Sequence, residues 1–140
     1  MGGMIRIAAN AALYWAATFA VAFVIGAART LWLAPRVGAL AAVLAELPVM
    51  LAVSWVMARA VLRRRPLASR RAALAMGSLA FVLLMGAELA LATLGFGQSA
   101  GLWLAALATP PGLAGLAGQA GFALMPVWVW GTRVAQARRG

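Results

Sequence analysis

Three stretches of the chain carry almost no charge. Residues 7–28 have none, residues 37–58 have only Glu46, and residues 72–132 have only Glu88. Uncharged apolar runs of about 20 residues are the length a helix needs to cross a bilayer. Residues 7–28 as a helix would span roughly 33 Å at about 1.5 Å per residue. That run is longer than the apolar core of a cleaved signal peptide, so it reads as an uncleaved first helix over about residues 7–33. Pro35 is expected to end it, because the residue before a proline avoids the α region. Ala34 to Gly38 then reads as a tight turn. The second helix is expected over about 38–62, with a kink at Pro48. The third is expected over about 72–95, ending at Gly95-Phe96-Gly97.

The last apolar stretch divides in two. Residues 98–109 are too short to span and are followed by Pro110-Pro111, which is expected to close them. They read as a short helix lying along the membrane interface. The fourth helix is expected over about 112–132, kinked at Pro126 and followed by a basic tail of Arg133, Arg138 and Arg139. Its first half carries Gly112, Gly115, Gly118 and Gly121. Glycines three apart drift around a helix that repeats every 3.6 residues, so they make a broad smooth surface suited to close helix approach. The expected fold is all-α: one transmembrane domain over residues 1–140, a four-helix bundle with a short interfacial helix between its third and fourth spans.

Composition agrees with this pattern. The chain is 66% hydrophobic and 10% charged, where soluble domains have about 45–50% and about 25%. There is no His, Cys, Asp or Lys. The ligands of zinc, haem and iron–sulfur sites are therefore missing, as are a Ser–His–Asp triad and a cysteine nucleophile. Neither a metal nor any other cofactor is expected, and no catalytic residue is assigned.

The net charge of +10 comes entirely from arginine. In a soluble protein it would suggest nucleic acid; beside apolar spans it fixes topology instead, and no nucleic acid is expected as a partner. The two ends and the 63–71 loop, with adjacent Arg59, hold ten of the twelve arginines. The positive-inside rule then puts both termini and that loop in the cytoplasm of a bacterial inner-membrane protein. Arg63, Arg64, Arg65, Arg70 and Arg71 crowd this loop and are expected to meet anionic lipid headgroups.

The polar residues inside the spans come to a similar depth. Glu46 lies roughly 12 Å into the second helix from its outer end, and Glu88 and Gln119 lie roughly 10 Å into the third and fourth. Arg29 lies about one turn from the outer end of the first helix, with Arg36 just above. A charge in lipid costs at least about 2.5–3.5 kcal/mol, which pairing between arginine and glutamate offsets. Arg29 or Arg36 is expected to pair with Glu46, with Glu88 and Gln119 at the same level. Such a cluster could be a structural clamp between helices, a ligand, lipid-headgroup or ion site open to the outer side, or a proton relay.

The run Gly26–Met50 resembles the first two helices of small uncharacterised four-helix inner-membrane proteins of Gram-negative bacteria. Arg29, Leu31 to Leu33, Pro35, Arg36, Gly38, Glu46, Pro48 and Met50 carry the resemblance, and Glu88-Leu89 extends it into the third helix. It implies the architecture and the Arg–Glu cluster, and brings no activity with it. Small multidrug transporters also have four helices and a membrane glutamate, but theirs lies in the first helix, which here has no acid. The expected function is that of a non-enzymatic accessory or packing subunit of a membrane complex, touching lipids and a membrane-protein partner or further copies of itself. The alternative is a small transporter or a lipid- or ligand-binding protein that uses the cluster.

Overall fold

A computed structural model describes residues 1–140, all helical, with no strand. Helix α1 runs Gly2–Ala28, passes through a π-helical turn at Arg29–Leu33, and continues as α2 over Ala34–Val37. Then follow α3 (Ala39–Arg64) and α4 (Arg70–Ala90), the latter extended by a second π turn at Leu91–Gly95. The short α5 (Ala100–Leu107) and the long α6 (Pro110–Ala137) complete the chain. Four of these rods, Gly2–Val37, Ala39–Arg64, Arg70–Gly95 and Pro110–Ala137, are long and apolar enough to cross a membrane.

Pro35 does not end the first helix, contrary to the expectation from sequence. Its missing N–H and its ring are incompatible with a regular α turn, whose bond would go to the carbonyl four residues back. The preceding turn widens instead: the N–H of Ala34 bonds to the carbonyl of Arg29, five residues back, and Ala34 itself stays in the right-handed helical region. The reversal falls on one residue, Gly38, at φ +88°, a conformation that costs glycine little. Its N–H closes the last turn on Ala34 at 2.9 Å, and its carbonyl accepts from Ala42 to start α3. The connection is therefore one residue long rather than the five residues 34–38.

Hydroxyl caps set the other helix starts. Ser69 accepts from the N–H of Ala72, Ser99 from Leu102, and Thr109 from Gly112, each satisfying a donor that the first turn leaves free. Pro110 and Pro111 thus open α6 rather than close the helix before it, since proline is suited to a first turn, where its absent N–H would have had no partner. Helix α6 also runs past residue 132. Arg133 is therefore not part of a free tail: its guanidinium donates to the carbonyl of Leu62 near the end of α3.

Each of α1 and α6 packs against both α3 and α4. The core sits toward the end of the bundle that holds both termini and the 65–69 loop. There Tyr14 of α1 stacks on Phe122 of α6, centroids 4.5 Å apart, and its hydroxyl donates to the Phe122 carbonyl at 2.7 Å. Ala11, Ala58, Leu62, Met76, Ala80 and Val129 close around this pair. Gly77 lets α4 press against α6: a Cβ there would overlap the backbone carbonyl of Ala123. Two further side chains satisfy carbonyls where α3 turns into the loop. Asn10 donates to Arg65 at 2.9 Å and Trp130 to Leu67 at 3.1 Å. Arg63, Arg64, Arg65, Arg70 and Arg71 around the same loop are all exposed.

Candidate functional site

At the opposite end of the bundle the helices part. Arg29 opens the first π turn, Glu46 lies in the first half of α3, Glu88 lies just before the second π turn, and Gln119 lies in the first half of α6. Arg29 and Glu46 form an ion pair through Nε and Oε2. Gln119 Nε2 donates to Glu88 Oε1 at 2.7 Å. Of the five residues singled out from sequence, Arg36 alone is turned away. It is exposed, and its guanidinium donates at 2.8 Å to the Trp32 carbonyl in its own helix. The choice of arginine follows from the backbone. The widened turn at Arg29–Leu33 offsets the side chains on its two sides around the helix axis. Turns of this type are frequent at functional sites.

The two pairs do not fill the space between the helices. They line a cavity of about 510 Å³, together with Thr18 of α1 and Ser54 of α3. Trp103 and Leu107 of α5 border it, as do Leu91 and Ala92 of the second π turn. The short helix α5 is thus one wall of the site. The glycines of α6 explain why the space is open. Gly118 and Gly121 are pressed by the side chains of Leu47 and Leu51, and Gly112 lies against the backbone of α5 at Ala106 and Leu107. Gly115 faces the cavity, and a Cβ there would meet nothing within 4 Å. The broad smooth surface expected from the glycine spacing is therefore divided among α3, α5 and an open volume.

Charge in the cavity is unbalanced. Glu46 is in direct contact with a guanidinium, whereas the one hydrogen bond to the Glu88 side chain comes from the neutral Gln119 amide. Two carboxyl groups thus share one cation. Three buried polar atoms on the cavity lining have no hydrogen bond within the chain: Arg29 Nε, which is held by Glu46 in the ion pair, the Thr18 hydroxyl, in a residue only 4% exposed, and Gln119 Oε1. Buried polar atoms are paired with protein or ordered water in the great majority of cases, so unpaired ones beside a cavity can be met by water or by the polar group of a ligand. Ser54 is already satisfied, its hydroxyl donating to the Met50 carbonyl at 2.8 Å.

Sequence reasoning passed over Thr18 and the two residues in line with it. Asn10, Tyr14 and Thr18 recur every four residues, which places them on one helix face. All three are buried. A polar stripe at that spacing on an apolar span was the available signal.

Comparison with known protein families, curated proteins and solved structures found no match to this chain.

Proposed function

We propose that this chain is an integral protein of a bacterial inner membrane that binds a small amphiphilic molecule, without transforming it, in the cavity between its four helices. The observation that carries this is the placement of Arg29, Glu46, Glu88 and Gln119 around one open volume. A clamp would bring such groups together in a closed interface, with no space between them. The volume of about 510 Å³ lies inside the range of about 300–1,000 Å³ usual for small-molecule sites. Apolar walls such as Phe19 and Leu84 beside the polar groups suit a ligand with an apolar body and one polar head.

The orientation of the bundle belongs to the same proposal. Ten of twelve arginines gather at the end that holds both termini, which favours a cytoplasmic assignment for that end and an outward-facing cavity. Arg63, Arg64, Arg65, Arg70 and Arg71 would then meet the anionic headgroups of the inner leaflet.

Filling the cavity tests the reading. Probes sharing a 2-naphthylmethyl or naphthyl body and differing only in head charge are titrated against the purified protein. At least one is expected to bind saturably. Gly115→Phe is expected to weaken that binding at least about tenfold by occupying the same space. Thermal stability should not fall, because the new Cβ has room and glycine is a poor helix former. Failure of every probe to bind, or binding indifferent to Gly115→Phe, would reject the proposal.

The accessory-subunit reading is second. Gly86, four residues before Ala90, has nothing of this chain within 4 Å of a Cβ position, so this small-residue face of α4 is free for another helix. Its signature is stoichiometric copurification with a larger membrane protein.

A further inference from the structure

We infer that the ligand of this cavity is an organic cation, whose ammonium head sits beside Glu88, Gln119 and Thr18. The inference rests on the binding reading above and names its chemistry. It starts from the excess of acceptors. Glu46 is already matched by Arg29, and the only other arginine at this end, Arg36, is turned to the Trp32 carbonyl. Glu88 receives one hydrogen bond, from a neutral amide. Of the cavity-lining atoms without a hydrogen bond, Arg29 Nε is held by Glu46 in the ion pair, and the two that remain are oxygens, the Thr18 hydroxyl and Gln119 Oε1. An anionic head would face Glu88, and the one guanidinium on the cavity lining, Arg29, is already paired with Glu46. A neutral alcohol could donate one hydrogen bond and would leave the other oxygens without a donor. An ammonium supplies both charge and up to three donors, enough for Glu88, Gln119 Oε1 and Thr18 together.

The walls add a second attraction. Trp103 of α5 and Phe122 of α6 border the same space, and aromatic faces attract cations strongly where water is excluded. Trp103 belongs to the interfacial helix, so that helix completes the site on its outer side.

The source of the cation is either a free amine or the headgroup of an aminophospholipid, since both present the same primary ammonium. The test separates ligand chemistry first and source second. Four probes are compared on the full chain in phosphatidylcholine nanodiscs: 2-naphthylmethylamine, its trimethylammonium analogue, 2-naphthalenemethanol and 2-naphthoate. The amine is expected to bind at least about tenfold more tightly than the alcohol or the carboxylate, the scale of one charge-assisted hydrogen bond. Retained affinity for the trimethylammonium probe assigns the aromatic walls the larger share; its loss assigns the oxygen acceptors the larger share. Glu88→Gln is expected to erase the preference for the amine over the alcohol, by weakening amine binding at least about tenfold. The ranking on the unaltered protein decides alone should that variant fail to fold. Adding phosphatidylethanolamine to the nanodisc then identifies the source: competition assigns the lipid headgroup, and undiminished amine binding assigns a free amine. Tightest binding of 2-naphthoate or the alcohol would overturn the cation and leave the binding reading intact. Absence of all binding would overturn both.

Discussion

Glu46→Leu and Arg29→Leu are each expected to lower the unfolding free energy by about 2–3 kcal/mol, while the double change recovers most of the loss. Each single change leaves one charge without its partner in a poorly solvating site. Breaking a fully buried pair costs about 3–5 kcal/mol. The side chains of Arg29 and Glu46 are 30% and 15% exposed, which puts the expected loss below that range. Pairing Glu46→Leu with Arg36→Leu instead should recover nothing, because the Arg36 guanidinium is engaged with the Trp32 carbonyl. Denaturation of the four proteins and this control in one detergent measures the coupling. Additive losses from the Arg29 and Glu46 variants would remove the ion pair from the account.

An effect at least as large is expected at Gly77, on the tightly packed side of the bundle. A Cβ at Gly77 would overlap the backbone carbonyl oxygen of Ala123, which no rotamer change can move. Gly77→Ala must push α4 and α6 apart beside the Tyr14–Phe122 stack. Overpacking costs about 1–3 kcal/mol where side chains can yield and more where they cannot. The expected loss is about 3 kcal/mol or more, read as a lowered thermal midpoint. Gly86→Ala, on the same helix with open space around it, should be stabilising by about 0.5–1 kcal/mol through helix propensity alone. Equal effects at the two glycines would contradict the packing described.

The contrast between the packed and the open end marks what a reader of the chain could have known. Four helices were legible because charge is excluded from long runs, and lipid tolerates little else. The short helix before α6 was legible from its length. Helix limits were less so, because the caps Ser69 and Thr109 and the placement of Pro110-Pro111 in a first turn act on single residues. Pro35 misled because its local preference is real and was overridden by widening one turn. The common depth of Arg29, Glu46, Glu88 and Gln119 followed from a fixed rise per residue. Which arginine meets Glu46 did not, since the π turn changes direction around the axis rather than depth. The cavity was hidden for a different reason. It is left open by the missing side chain at Gly115 and walled by α5, which Gly112 lets press against α6, and periodicity reports on neither.

Arg133 and Asn10 show the same limit at the other end. An arginine near a chain terminus and an asparagine in an apolar span have ordinary readings as a tail and a tolerated polar residue. Both instead donate to carbonyls near the end of α3, at Leu62 and Arg65. Those acceptors exist only because a helix ends there, leaving carbonyls without intrahelical partners.

The chain has no cysteine, so a single introduced thiol reports on one position. Gly115→Cys, assayed in intact spheroplasts with a membrane-impermeant thiosulfonate reagent, tests the proposed outward opening of the cavity most directly. Gly86→Cys, at an exposed position of α4 outside the cavity lining, is the comparison. The thiol at position 115 is expected to react rapidly from the outside and to be protected by a bound probe, while the thiol at position 86 stays unmodified in lipid. A thiol at position 115 as unreactive as that at position 86 would contradict the central claim that these four helices enclose an accessible polar site.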